Sequence, residues 1–213
     1  EAKHIYLYGV AYSHLLCQYV QYEGDLFQKN ILVLDENEVA IDRLKEDDLL
    51  FFVKPTTGHD EVLLASSNGR AIHFMEDQVR VMGRSAGGVR GMQIDDGIVV
   101  GAALNTEGDT LLVVSENGYG KRSKISDYRM TSRGKKGVTT MNITEKTGQL
   151  KVARAVRGDE DAMIVSSSGI MIRIAVKDIG IYSRNTQGVR LIHLTEDAKV
   201  MRMTLVDHEE EEE

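Results

Sequence analysis

The sequence has very little cysteine and proline and no long apolar segment. Its 213 residues include one cysteine, Cys17, and one proline, Pro55. A lone cysteine excludes an internal disulfide, and no cysteine and histidine cluster has metal-ligand spacing, so we expect no metal site. No run of about 18 uncharged apolar residues is present, and the acidic start lacks the layout of a secretory signal. We therefore expect a cytoplasmic protein without a membrane partner.

Sequence motifs of common enzyme sites are absent as well. The chain contains no G-x-S-x-G, no H-E-x-x-H and no G-x-x-x-x-G-K-[ST]. The stretch 118–120, followed by Lys121 and Arg122, looks like a phosphate loop, but it falls in a predicted hairpin turn rather than between a strand and a helix. The six histidines are scattered. We predict no catalytic residues and no cofactor in this chain.

An internal repeat is the main feature that the sequence does have. The tetrads at 66–69, 115–118 and 166–169 share the form S-x-x-G, and each is followed by R-x-x-x-G-V. The arginine always lies 15 residues after the tetrad glycine, and successive copies are spaced by 49 and 51 residues. A period of about this length is typical of propeller-like or solenoid arrays.

Each copy of the repeat has the pattern of β-strands. In the first copy, 61–66 and 70–74 are β-prone runs on either side of the turn tetrad, as in a hairpin. An alternating strand and a further apolar strand follow. No segment keeps helical apolar spacing for three turns, so we predict an all-β fold, a propeller-like array of four-stranded blades. The predicted divisions are a divergent N-terminal blade region at 1–60, three regular blades at about 61–109, 110–158 and 159–208, and an acidic tail at 209–213.

The net charge of −7 is distributed unevenly along the chain. Residues 1–60 carry 5 lysines and arginines against 11 acidic residues, whereas residues 61–208 carry 21 against 17. The last five residues are all glutamate. A mildly basic repeat region therefore lies between two acidic ends, and the repeats keep nucleic acid open as a partner.

Basic residues recur at equivalent positions of the copies, and they are densest between Lys121 and Lys136. Because blades of equal length place equivalent residues at equivalent points of an array, we expect these side chains to form a band on one rim. Guanidinium and ammonium groups beside glycine-rich loops suit phosphate oxygens and need no base-reading geometry. The predicted DNA-binding residues are Arg70, Arg84, Arg90, Lys121, Arg122, Lys124, Arg129, Arg133, Lys135, Lys136, Arg173, Arg184 and Arg190.

Residues 61–208 resemble the last three blades of the C-terminal β-pinwheel domain of the DNA gyrase A protein. The resemblance rests on the stretches 74–91, 116–122 and 183–192, which are family-typical phrases in family-typical order. Topoisomerase IV carries a related C-terminal domain and remains an alternative. The chain has no complete Q-R-R-G-G-R-G box of the gyrase type, and 131–137 is the nearest match.

The resemblance implies a domain that wraps duplex DNA around a basic outer rim and presents it to the catalytic core of a topoisomerase. Its implied partners are duplex DNA, the rest of the gyrase A protein and the separate ATPase subunit, in a bacterial, nucleoid-associated setting. Strand cleavage and ATP hydrolysis would lie outside this chain. The acidic tail is either a solubilising segment or, as the family suggests, a competitor of DNA for the basic rim.

Two other classes of function stay open on the sequence alone. A protein-interaction propeller without DNA affinity would show an apolar or mixed-charge binding face and no salt-sensitive binding of DNA. An enzyme built on a propeller would need a converging set of carboxylates or histidines, which the sequence does not show.

Overall fold

The computed structural model of the protein describes residues 6–7, 51–52, 54, 56–81, 88–195 and 197–208. Among these residues the regular elements are β-strands and short 3₁₀ turns, so the predicted all-β fold is confirmed. A helix long and apolar enough to cross a membrane does not occur in the described ranges. The predicted acidic tail and nearly all of the predicted divergent region 1–60 lie outside these residues.

Thirteen strands occur in the described residues, and they fall into repeated groups. Each of the three sequence repeats contributes a hairpin, a two-residue strand and a longer strand. A 3₁₀ turn follows the second hairpin strand each time, at Glu76–Gln78, Ile125–Asp127 and Val176–Asp178. The strands are β1 (Tyr6–Leu7), β2 (Glu61–Ser66), β3 (Arg70–Met75), β4 (Val89–Arg90), β5 (Val99–Leu104), β6 (Thr110–Ser115), β7 (Tyr119–Lys124), β8 (Val138–Thr139), β9 (Leu150–Val156), β10 (Glu160–Ser166), β11 (Met171–Ala175), β12 (Val189–Arg190) and β13 (Val200–Asp207).

Three antiparallel units share one strand order. The first unit has the order β3, β2, β5, the second β7, β6, β9 and the third β11, β10, β13. In each unit the pairing with the longer strand shifts register at the serine that opens the turn tetrad, namely Ser66, Ser115 and Ser166. The hairpins predicted from the turn tetrads are therefore present in all three repeats.

The two-residue strand of each repeat leaves its own unit and pairs with the preceding one. Strand β8 pairs with β3 of the first unit, and β12 pairs with β7 of the second unit. Strand β4 likewise pairs with β1. Strand β1 therefore has the same position beside β4 that β3 has beside β8. The expectation that four consecutive strands make up one blade is wrong in this respect. Neighbouring units exchange a strand.

The glycine of the R-x-x-x-G-V motif makes this strand exchange possible. Gly88, Gly137 and Gly188 all have positive φ angles, of 71°, 71° and 76°. A Cβ atom on Gly137 would lie 2.2 Å from the carbonyl oxygen of Ala71, and one on Gly188 would lie 2.5 Å from that of Gly120. Only glycine allows this backbone conformation and this close an approach to the neighbouring unit.

Two of the three apolar clusters in the described residues lie between units, and the third is formed by the first repeat together with Phe52. Strand β6 is buried along its whole length. Its alternating residues Leu111 and Val113 belong to a cluster shared with the first unit, whereas Leu112 and Val114 belong to a cluster shared with the third unit. Because successive side chains of a strand point to opposite faces, the second unit is covered on both sides. The units therefore fold as one stack.

Candidate nucleic-acid interface

The densest basic segment forms a loop along the edge of the first unit. We call residues 129–137, which connect β7 to the exchanged strand β8, the outer loop. The backbone N–H of Thr131 donates to the carbonyl oxygen of His73 at 2.8 Å, and that of Gly134 donates to Gly91 at 2.6 Å. These bonds fix the loop backbone on the first unit while several of its long side chains remain exposed.

Four of the predicted DNA-binding side chains are exposed and unpaired. Arg90, Lys124, Arg129 and Lys135 are exposed, and within the described ranges their side chains make no hydrogen bond or ion pair. Arg129 and Lys135 lie on the outer loop, and Arg90 adjoins the point where Gly134 bonds to the first unit. We call these four residues the free cations. They are available to phosphate oxygens without first breaking another contact.

Lys136 and Arg70 are weakly engaged beside the free cations. Lys136 Nζ lies 2.7 Å from Asp95 Oδ2, with both side chains about half exposed. An exposed pair of this kind contributes only about 0–1 kcal/mol, so a phosphate can replace the carboxylate. Arg70 is half-buried and donates to the carbonyl oxygen of Gly137 at 3.3 Å.

The arginines that recur in the R-x-x-x-G-V motif join neighbouring units. Arg133 donates from Nε to the carbonyl oxygen of Gln78 at 2.8 Å and from Nη1 to that of Arg90 at 3.2 Å. Arg184 donates from Nη1 to Thr139 at 2.9 Å. Arg90 and Thr139 occupy equivalent positions, so the two arginines make the same contact twice. One contact lies at the first junction, between the first and second units, and the other at the second junction, between the second and third units. Their recurrence thus has a structural reason. The third motif arginine, Arg84, lies outside the described residues.

Lys121 and Arg122 are buried, which contradicts the expectation that they lie on an exposed rim. Lys121 is 0% exposed, and its Nζ donates to the carbonyl oxygens of Ser183 at 2.6 Å and Arg184 at 2.7 Å. Arg122 is 8% exposed, and its Nε donates to Ile179 at 2.7 Å. Both side chains hold the third unit against the second, so we leave them out of the proposed interface.

The position of Arg122 has an equivalent contact in the first unit. There His73 is buried, and its Nδ1 lies 2.8 Å from the carbonyl oxygen of Tyr128. Tyr128 and Ile179 each follow a 3₁₀ turn of the next repeat. The residue four positions after the turn glycine therefore binds the next repeat in both cases.

Arg173, the corresponding residue of the third unit, binds within its own unit. Its Nε lies 2.6 Å from Asp161 Oδ2, and its Nη2 donates to the carbonyl oxygen of Asp207 at 3.0 Å. His208 Nδ1 lies 2.8 Å from the other carboxylate oxygen of Asp161. Desolvation opposes ionisation of Asp161, but the hydrogen bonds from Arg173 and His208 outweigh it and lower its pKa. The Arg173 side chain is partly exposed, but it is engaged in an ion pair with Asp161.

The buried amine of Lys121 predicts a pH-dependent stability. Burial, assisted by the charge of Arg184, lowers the pKa of Lys121 from 10.5 to about 8. Between these two values the unfolded chain binds a proton that the folded chain has lost, so the free energy of unfolding rises with pH across this window. The gain should be about 2–3 kcal/mol relative to Lys121→Met, measured by urea unfolding at pH 7.5, 9 and 10.5. Parallel pH profiles for the two proteins would contradict it.

Arg190 lies at a second basic site that the sequence did not reveal. Its Nη2 donates to the hydroxyl oxygen of Tyr119 at 2.8 Å. Arg190, Lys146 and Lys199 line one cavity. Neither lysine recurs in register, and each lies in an ordinary loop before a strand, so the sequence gives no signal for this site.

Metal-ligating groups of three or more acidic, histidine or cysteine residues are not found in the described part of the chain.

Exchanged two-residue strands, a core shared between stacked units and a basic loop on the outer edge define a propeller-like repeat domain of the pinwheel type. Residues 60–105, 109–156 and 160–207 match the family model described as "DNA gyrase C-terminal domain, beta-propeller". The chain belongs to this family. The resemblance seen in the sequence is therefore confirmed.

Curated relatives agree with this family. The chain is 44% identical over 163 residues to the DNA gyrase A protein of Ureaplasma parvum serovar 3, covering 76% of this chain and 19% of that protein. It is 42% identical over 172 residues to the DNA gyrase A protein of Staphylococcus aureus, covering 79% and 19%. The chain thus spans about a fifth of the length of these relatives.

Two solved structures share the fold. The C-terminal domain of DNA gyrase A superimposes with a TM-score of 0.65 at 27% identity, covering 70% of this chain and 52% of that one. The C-terminal domain of DNA topoisomerase IV gives a TM-score of 0.72 at 25% identity, covering 77% and 52%. The chain is a C-terminal domain of the gyrase A and topoisomerase IV type.

Proposed function

We propose that this chain binds duplex DNA through its phosphates and bends it along the outer edge of the stacked units. The observation that carries the proposal is the set of free cations, Arg90, Lys124, Arg129 and Lys135. Arg129 and Lys135 lie on the outer loop, Arg90 adjoins its bond to Gly91, and Lys124 ends β7 just before the 3₁₀ turn that leads into the loop. Exposed cations normally pair with nearby carboxylates or are spread over a surface, so four unpaired cations on and leading into one loop favour an anionic polymer as their ligand.

The form of the outer loop supports contact with phosphates rather than with base edges. Its backbone bonds to the first unit, and it projects neither a helix nor a two-stranded ribbon that could enter the major groove. Contacts to phosphates position a protein on DNA and carry no direct sequence information. We therefore expect binding that tolerates all sequences.

The second junction is much less basic at the equivalent loop. Residues 180–188 contain one cation, Arg184, which binds the carbonyl oxygen of Thr139. The outer loop by contrast carries Arg129, Arg133, Lys135 and Lys136. Bending a site of 20–30 bp costs on the order of 1–6 kcal/mol, which contacts along the bent path must offset. We therefore infer that DNA is held mainly at the first junction and is guided onward from there.

Within a longer protein, the chain would present bent DNA to a cleaving core. Because the curated relatives are DNA gyrase A proteins, we propose two protein partners, the rest of a gyrase A protein and the ATPase subunit of the enzyme. The proposed setting is the bacterial nucleoid, and the proposed process is DNA supercoiling. Topoisomerase IV is the alternative setting, because a C-terminal domain of that enzyme shares the fold. The blades proposed at 61–109, 110–158 and 159–208 are sequence repeats. In the fold, the two-residue strand of a repeat pairs with the unit before it.

A salt titration of the 213-residue chain tests the proposal. A duplex of about 40 bp with a dye at each end is titrated at salt concentrations between 50 and 200 mM. With four phosphate contacts the slope of log K against log salt should be about −3.6, because each contact contributes about −0.9. Energy transfer between the dyes should rise on binding, because the duplex ends approach each other. Absent or salt-independent binding would instead favour a protein-interaction propeller.

A further inference from the structure

A buried tyrosine at the second junction carries a hydroxyl group that is only partly used. Tyr119 begins β7, is 6% exposed, and pairs with Arg190 of the exchanged strand β12. Arg190 donates to the tyrosine oxygen from Nε at 3.3 Å and from Nη2 at 2.8 Å. The oxygen therefore acts as an acceptor, and among the described residues no acceptor receives the hydroxyl hydrogen. That hydrogen remains available to a ligand.

Two cations contact this tyrosine, and a third lines the same cavity. The Arg190 Cζ atom lies 5.3 Å and the Lys146 Nζ atom 5.2 Å from the centre of the same Tyr119 ring, within the range of cation–π contact. Lys199 Nζ donates to the side-chain oxygen of Asn117. These residues line one cavity of about 290 Å³, together with Asp197.

Positive charge exceeds negative charge in this cavity. Among the described lining residues, Lys146, Arg190 and Lys199 face one carboxylate, Asp197. Outside the lining, Glu116 Oε1 lies 3.7 Å from Lys199 Nζ. Like charges held near one another raise the electrostatic energy of the empty cavity. An anion that enters between them relieves this repulsion and accepts their hydrogen bonds.

The first junction shows that the cluster is not a by-product of the repeat. There Arg70 pairs with Thr139 in the register in which Tyr119 pairs with Arg190. The N–H of Leu150 bonds to Ser67 as that of Val200 bonds to Glu116, which puts Gln149 at the position of Lys199. The equivalents of Tyr119, Arg190 and Lys199 are thus Arg70, Thr139 and Gln149. The aromatic and basic cluster is specific to the second junction.

We propose that the cavity around Tyr119 is a phosphate-binding pocket that holds one backbone phosphate of the bound duplex. The Tyr119 hydroxyl and the ammonium groups of Lys146 and Lys199 supply donors from three segments of the chain, which suits the several oxygens of a phosphate. The assignment of DNA as the source of the phosphate rests on the proposed function. A free phosphate ion offers the same chemistry.

Amide and side-chain NMR of the full chain distinguishes these sources. Inorganic phosphate and, separately, a duplex of about 40 bp are titrated while the signals of residues 117–119, 146 and 199 are followed. Tyr119→Phe keeps the buried ring and removes the hydroxyl group, which is both the free donor and the acceptor of Arg190. Lys146→Gln with Lys199→Gln removes two charges. The matched controls are Tyr182→Phe, which changes an exposed tyrosine, and Lys151→Gln with Lys177→Gln.

We expect both titrations to shift the pocket signals. Phosphate affinity should fall several-fold in Tyr119→Phe and at least about tenfold in the double lysine variant, with no change in the controls. The salt slope for the duplex should fall by about 0.9 in the double lysine variant. Pocket signals that respond to neither titrant would overturn the proposed pocket. A duplex that shifts only the signals of the outer loop would also overturn it, but would leave the proposed function intact. Pocket shifts with phosphate but no duplex binding would instead overturn the proposed function.

Discussion

Replacing Lys124, Arg129 and Lys135 together by glutamate will weaken duplex binding by about 100- to 1,000-fold at 100 mM salt. Each phosphate contact contributes about 0.9 to the slope of log K against log salt, which amounts to nearly tenfold in affinity at this concentration. The magnitude of the salt slope should decrease by about 2.7, and by the same amount for all duplex sequences. Fluorescence anisotropy at five salt concentrations between 50 and 300 mM measures both quantities.

A control variant with the same change in charge tests whether position matters. Lys151, Lys177 and Arg202 are also exposed, and they belong to other elements, namely β9, the 3₁₀ turn Val176–Asp178 and β13. Their joint replacement by glutamate should leave the slope near the wild-type value. An equal loss of affinity in both variants would mean that net charge alone governs binding and that the outer loop is not the interface. Thermal melts of both variants check that the fold is kept.

Gly137→Ala will destabilise the chain by about 2–5 kcal/mol. Gly137 has a φ of 71°, where an alanine costs about 1–2 kcal/mol, and its Cβ would lie 2.2 Å from the carbonyl oxygen of Ala71. Overpacking of this kind adds about 1–3 kcal/mol, because here backbone must move rather than a flexible side chain. The change should loosen β8 from β3 and release the outer loop. Urea unfolding gives the stability.

Gly169→Ala is the matched control for this prediction. Gly169 also has a positive φ, of 81°, but a Cβ atom there would meet nothing within 4 Å. It should therefore cost only the conformational penalty of about 1–2 kcal/mol. Equal losses in the two variants would show that the close contact between Gly137 and Ala71 is unimportant. A larger loss in Gly137→Ala would show that the exchanged strand needs it.

The hairpins could be predicted from the sequence because their signals are local. The predicted run 61–66 coincides with β2, since a turn tetrad and β-prone flanks decide a hairpin within a dozen residues. The alternation in 88–94 and 188–194 predicts longer strands, but only two residues of each run pair with another strand. Their alternation reflects burial of Ile192 in the cluster between the second and third units and of Met92 in the cluster of the first repeat. Packing of this kind produces the same alternating pattern as a strand.

The sequence could not distinguish the free cations from the cations that bond to a neighbouring unit. Lys121 and Lys124 lie three residues apart on β7, yet the loop of the third unit covers the first and leaves the second exposed. Basic residues that recur in register predict a DNA-binding band. Residues that join neighbouring units also recur in register, because every junction repeats the same contact, as Arg133 and Arg184 show. Only the neighbouring unit reveals which role a given arginine has.

Strand exchange also sets an order of assembly during synthesis. The second unit begins at Thr110, but its outermost strand, Val189–Arg190, belongs to the following repeat. On the ribosome this unit remains incomplete until most of its successor has been translated. Each newly made unit therefore closes the one before it, and the domain matures from its amino-terminal side one step behind elongation.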